Sequence, residues 1–173
     1  MQFLLGDEMT TATNTREHLY DLLKDFDTAM LVTRSADGHM HSRPMAIAEL
    51  RRDSDIYLVT SIDSPKVDEI QANPGVTLTF QSSNQYASLS GGATIVRDRA
   101  LIDRLYKEAW KVWFPQGRND PSIALLQFNA QHGEYWDNAG AEGLKYVFEA
   151  AKAYVKGEQP KDVDQKQHAK VTL

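Results

Sequence analysis

The sequence predicts a mainly β chain, an antiparallel barrel or sandwich with a few helices at its periphery, and three observations carry that expectation. Runs of strand character follow one another at hairpin distance: "AMLVTR" and "MHSRPMAIAEL" are separated by "SADGH", whose Asp37-Gly38 pair suits a tight turn. Helical patterns are few and do not alternate with the strands, which argues against a parallel α/β sheet. Neither G-x-G-x-x-G nor G-x-x-x-x-G-K-[ST] occurs, so the phosphate loops of parallel-sheet nucleotide sites are missing.

In chain order, Thr15 is placed to cap a helix whose Leu19, Leu22, Leu23 and Phe26 fall at three- and four-residue spacing, a stripe for one side of a core. The hairpin follows. A polar turn, "RRDSD", leads to the strand "IYLVTS" and to a short helix from Pro65 that Asn73 and Pro74 end. "VTLTF", the polar "QSSNQ" and "YASLSGGATIV" make a second antiparallel pair. A long helix over residues 98–113 is expected to turn Ile102, Leu105, Ala109 and Trp113 inward before "FPQG" breaks it. Asp120 and Pro121 precede "IALLQF", which reads as a short helix or a strand. "HGEYWD" reads as a sixth strand, and "AEGLKYVFEAAKAYVKG" as a helix with Leu144, Val147, Phe148, Ala151 and Val155 on one face. The polar, aperiodic "EQPKDVDQKQHAKVTL" is expected to be a mobile tail. These elements divide the chain into an arm over 1–14, one domain over 15–157 and a tail over 158–173.

The 173 residues, 42% of them hydrophobic, suffice for one compact core. With 19 basic against 24 acidic residues the net charge is -5, which excludes a general affinity for phosphate backbones, so no nucleic-acid partner is expected. There is no cysteine, so disulfides, iron–sulfur clusters, thiolate zinc sites and cysteine nucleophiles are ruled out, and redox chemistry falls to a bound cofactor. The opening "MQFLLGDEMT" is too short and acidic for a signal peptide, and no apolar stretch approaches the roughly 20 residues of a membrane helix. A soluble cytoplasmic chain with no membrane partner is expected.

Candidate chemistry begins with "TSIDSPKV". The strand ends at Thr60 and Ser61, Ser64 stands at the cap, Pro65 at the first helical position and Lys66 at the second. The first turn of a helix has unpaired N–H groups and the positive end of the dipole, so a lysine there is opposed by roughly a few tenths of a kcal/mol unless an anion joins it. Two readings stay open on the local sequence: an anion site, or a solvated lysine beside an ordinary cap, the plainer one ahead. In "HMHSRPMAI", strand alternation sets His39, His41 and Arg43 on one face, and Pro44 needs an edge or a bulge. Arg43 suits a phosphate or carboxylate as well as a surface ion pair. Two imidazoles without a third ligand do not make a metal site, and none is expected. Trp136 in "EYWD" fits either a planar ligand or the core, and Gln85, Tyr86, Ser88 and Ser90 are donors that an ordinary strand explains equally well. No acid pair or triad stands out, so an enzyme here would bind and orient a cofactor that performs the reaction.

The combination of "SRPM", "TSIDSPKVDEIQANP", "WFPQGRNDP" and "EYWD", in that order over roughly residues 15 to 157, closely resembles the general stress protein family of the pyridoxamine 5'-phosphate oxidase-like proteins. The resemblance implies a six-stranded antiparallel split β-barrel that dimerises and holds FMN at the subunit interface. It implies that Arg43 and Lys66 hold the FMN phosphate, with Thr60, Ser61 and Ser64 adding hydroxyl or amide contacts. Pro44 would belong to the same cofactor site, and the strand around Met45, Ala46 and Val59 would lie along the isoalloxazine. Gln85 or Tyr86 would stand where related oxidases set a glutamine against the flavin, and Trp136 would reach the flavin from the partner subunit. Past that tryptophan, true pyridoxamine phosphate oxidases have an arginine- and histidine-bearing segment, whereas this chain reads "DNAGAEGLKYVFEAAK" with neither. Pyridoxamine phosphate oxidation is therefore not expected, and no catalytic residue carries over. The expected functions are a flavin-dependent oxidoreductase acting on a small substrate or nicotinamide donor, or a flavin-binding stress protein without turnover. Haem, with His39 and His41, is the remaining alternative.

Overall fold

The computed structural model describes residues 15–53, 55–139 and 168–173. The arm expected over 1–14 and the helix expected over 141–157 lie outside them. Six strands, β1 Thr28–Arg34, β2 Met40–Leu50, β3 Ile56–Ser61, β4 Gly75–Gln81, β5 Gln85–Val96 and β6 Ile123–Asp137, form an antiparallel sheet in the order β3-β2-β1-β4-β5-β6. Pairing of β3 with β6 closes it into the expected barrel. Gly38, at φ 89°, takes the left-handed position of the β1–β2 turn, a conformation that glycine adopts without a Cβ clash.

Alternation fills the barrel. Ala29, Leu31, Met45, Leu58, Leu78, Leu89 and Phe128 point inward, and helix α1 (residues 15–23) adds Leu19, Leu22 and Leu23 to the same cluster. Thr15 lies within that helix rather than before it. A second cluster forms outside the barrel wall, where Tyr57 and Val59 of β3 and Ile123 and Leu125 of β6 are covered by Ile102 and Leu105 of α3 (Arg99–Leu105), Tyr106, Trp110 and Phe114. Strands β3 and the start of β6 are thus buried on both faces, which is why "IYLVTS" and "IALLQF" are continuous apolar runs without alternation. That lack of period left "IALLQF" ambiguous. It is strand, continuous with "HGEYWD" in the single strand β6.

Two expectations are corrected. The helix over 98–113 ends at Tyr106, whose backbone turns to φ -56, ψ 132, and a 3-10 turn over Glu108–Val112 follows. The rotation buries Trp110 at 2% exposure and turns Trp113 out to 59%, with Ala109 also exposed. The tail is not wholly structureless either: β7, His168–Thr172, pairs antiparallel with His132–Trp136 of β6. The segment carries a short alternation at the end of a polar stretch: Ala169, Val171 and Leu173 pack on the barrel core, while Lys170 and Thr172 are exposed.

Strands β2 and β3 pair only through Ile47–Leu50, with a register shift between Ile47 and Glu49. From Met40 to Ala46, β2 pairs with β1 alone, while Val59–Ser61 pair with β6 alone. The two strands part here, opening the barrel wall. Pro44, which has no N–H to donate, stands on the open edge as its chemistry requires.

Candidate functional site

A cavity of about 380 Å³ occupies that opening, lined by Thr28, Pro44, Met45, Ala46, Val59, Thr60, Ser61, Ser64, Lys66, Trp113 and Phe114. Its size suits a small organic ligand. Eight of the residues predicted for binding (Pro44, Met45, Ala46, Val59, Thr60, Ser61, Ser64 and Lys66) therefore come together. One end is apolar and aromatic; the other is made of hydroxyls and a single charged group, Lys66.

The polar end is built locally. Helix α2, Pro65–Ala72, starts directly after the loop that leaves β3, and Ser64 holds the cap position with extended backbone, φ -80 and ψ 137. Its hydroxyl does not cap the helix as expected; it accepts a hydrogen bond from Lys66 Nζ, and Thr60 Oγ1 accepts another at 3.4 Å. The half-buried Lys66 ammonium is held below its usual pKa range, first by burial and then by the charge of Arg43, with Glu69 opposing both. A cation depressed in this way, ringed by hydroxyls at a helix N-terminus, is satisfied by an anion.

Arg43 does not line the cavity. Its Nη2 donates to Glu69 Oε2 at 2.8 Å and its Nη1 to the buried Thr33 hydroxyl, which in turn donates to Glu69. His41 Nδ1 meets the other Glu69 oxygen at 2.6 Å. Thr33 and three hydrogen-bonding neighbours therefore form one cluster where β1, β2 and α2 meet. The Thr33 hydroxyl first, then His41 and Arg43, hold the Glu69 carboxyl at about 2, well below its ordinary value of 4.5. His39 stays apart in the β1–β2 turn, 4.0 Å from Asp37.

Gln85, Tyr86 and Trp136 lie elsewhere. Tyr86 pairs directly with Trp136 across β5 and β6, and both side chains are exposed on the outer face of the sheet. The Trp136 indole is stacked on His168 of β7, with centroids 5.0 Å apart and planes at 9°. Gln85 turns the other way and donates to Asp137 at 3.2 Å. The register carries Pro44, Met30, Thr79, Ser88 and Glu134 in one row on the outer face, so Trp136 shares the face of the cavity residues Pro44 and Ala46. Along β6, however, it lies well beyond Leu125, the partner of the cavity residue Val59, at roughly 35 Å of strand at about 3.3 Å per residue, too far for an indole to reach the cavity of its own chain.

Three lining residues escaped the sequence reading: Thr28 at the start of β1, Trp113 and Phe114. The sequence pattern puts Phe114 in a helix breaker and Trp113 in the core; the break at Tyr106 sets both against the cavity.

Comparison with protein families matches residues 14–161 to the family described as "Pyridoxamine 5'-phosphate oxidase like". The chain belongs to that family. General stress protein 26 of Bacillus subtilis is 26% identical to this pyridoxamine 5'-phosphate oxidase-like chain over 121 residues, 67% of the chain and 84% of that protein. Protein bli-3 of Neurospora crassa is 29% identical over 119 residues, and the match spans 62% of this chain and 57% of the length of bli-3. Among solved structures, a general stress FMN/FAD binding protein from Xanthomonas citri is 31% identical with a TM-score of 0.62, covering 73% of this chain and 90% of its own. A putative general stress protein 26 from a Jannaschia species reaches a TM-score of 0.66 at 26% identity and covers 92% and 97%. No helix among the described residues is long and apolar enough to cross a membrane.

Proposed function

We propose that this chain binds FMN in the β2–β3 cavity as a homodimer, and that the bound flavin exchanges electrons with a small substrate or a nicotinamide donor. The observation that carries the reading is the polarity of the cavity. Lys66, Thr60, Ser61 and Ser64 offer a cation and hydroxyls to a phosphate at one end, and Met45, Ala46, Val59, Trp113 and Phe114 offer a wall to a planar ring at the other. The FMN/FAD-binding Xanthomonas relative supports the choice of ligand. The separation of Trp136 from its own cavity supports a second copy, since only a partner seated on the outer face brings the Trp136 indole to the ring. A cytoplasmic location is part of the same proposal.

The flavin would supply the redox chemistry; the chain's own residues bind, orient and shield it. A second reading, flavin storage or redox sensing without turnover, has its own support: Lys66 is the single titratable side chain of the lining, so the cavity offers no separate acid and base. Oxidation of pyridoxamine phosphate is not proposed, because residues 137–152 have no arginine or histidine. The absorption spectrum of the purified protein tests the ligand: flavin bands are expected, and colourless protein that takes up no FMN but shows a Soret band with haem would replace the reading. Bleaching by NADH or NADPH with steady turnover separates the enzyme from the storage protein. A monomer by sedimentation in the presence of FMN would remove the dimer.

A further inference from the structure

Glu69 was not singled out in the sequence, yet it is the most heavily engaged carboxylate beside the cavity. Its side chain is 11% exposed against 22% for Arg43, and the Thr33 beneath them is fully buried. Arg43, Thr33 and His41 approach its two oxygens from β1 and β2, while Lys66 stands one turn earlier on the same helix. Asp63 and Asp68, the other acids of this segment, are exposed. A guanidinium paired in this way brings little net field to a ligand, because the carboxylate cancels it at short range.

We propose that Glu69 sets the charge of the anion end: it pins Arg43 beside the cavity and cancels its charge, so that a phosphate monoester is held there by the one net positive charge of Lys66. The proposal rests on the flavin reading above and assigns Arg43 a different role from direct phosphate contact. Glu69 also opposes the effect of Arg43 on Lys66 and so favours the protonated amine that a phosphate needs. His41, half exposed, adds a charge only when protonated.

Glu69→Gln is the informative change, since the amide keeps an oxygen for Arg43 and Thr33 while removing the charge. Riboflavin, which has no phosphate, is the internal control. In fluorescence titrations E69Q is expected to bind FMN about fivefold more tightly, with a steeper salt dependence, and riboflavin as before. An unchanged or weakened FMN-to-riboflavin preference would overturn the proposal. The double variant Arg43→Gln with Glu69→Gln, which removes both charges, is expected to keep the wild-type preference; a tenfold loss would mean that Arg43 grips the phosphate itself. A readout without flavin comes from NMR titration of labelled lysine in the ligand-free protein. There E69Q is expected to lower the Lys66 pKa further, and no movement would count against Glu69 as the charge-setting group. Wild-type protein that binds neither FMN nor riboflavin would defeat the flavin reading, while the lysine titration would still decide the role of Glu69.

Discussion

The polar end of the cavity and the outer face around Trp136 are assembled on opposite principles. At the first, Thr60, Ser61, Ser64 and Lys66 arrive within one strand end, loop and helix start, and the loop itself brings them together. At the second, Tyr86, Trp136 and His168 come from three strands and meet only through the register of β5, β6 and β7. The first region is complete enough in one chain to depress a lysine; the second presents an aromatic surface with one face stacked and the other open. A local site survives small changes elsewhere in the barrel, whereas a register-built surface depends on every pairing that holds it.

The largest effect is expected at the β5–β6 bulge beside Gly91, where an added Cβ would lie 2.0 Å from the Asn129 carbonyl oxygen. Gly91→Ala is expected to cost about 2–4 kcal/mol in urea unfolding, because strand backbone must move, and to disturb the Trp136 face more than the loop at Lys66. Next comes Lys66→Ala, expected to weaken FMN binding by about 1.5–3 kcal/mol in a fluorescence titration while leaving riboflavin affinity nearly unchanged. Equal losses for both ligands would mean that the phosphate is not at Lys66.

A pH series sharpens the same region. The Glu69 carboxyl is lowered in the fold, so its contribution to stability is present above its ordinary 4.5 and is lost as the pH falls through about 2. Glu69→Gln is expected to flatten unfolding free energy against pH across that window; an unchanged slope would show that the cluster is not stabilising. The smallest effect is expected at the outer face. His168→Ala removes a stacked but partly exposed ring and is expected to cost about 0.5 kcal/mol or less, with a shift in Trp136 fluorescence. Trp136→Ala is expected to leave stability almost unchanged yet weaken flavin binding in the dimer; unchanged affinity would detach this face from the site.

Much of the fold was legible because its signals are local. The Asp37-Gly38 turn, the strand alternation and Pro65 after Ser64 each act on neighbouring residues, and each appears where the pattern places it. The errors share a different cause. Nothing between Asp98 and Trp113 breaks a helix by itself, so periodicity continued through Tyr106; packing of Trp110 and Tyr106 at 5.7 Å, edge to face, accompanies the break instead. The alternation of Ala169, Val171 and Leu173 is too short to stand out beside the polar stretch before it, and it becomes a strand because the edge of β6 is there to pair with. In the site, Lys66 was noticed through its misfit with the helix dipole. Glu69, three residues on, gave no such sign, since an acid in a short helix is ordinary until Thr33, His41 and Arg43 arrive from other strands.

The amino-acid order by itself determined the antiparallel strands, the helix start with its lysine and the family motifs, because dihedral preferences, side-chain alternation and capping act over a few residues. Only the tertiary structure decided that β2 and β3 part at Pro44, that Trp113 faces the cavity, that Arg43 is held by Glu69 and that Trp136 stands too far away to reach its own cavity. Those depend on strand register and long-range packing, which bring together groups that no short stretch of the chain contains.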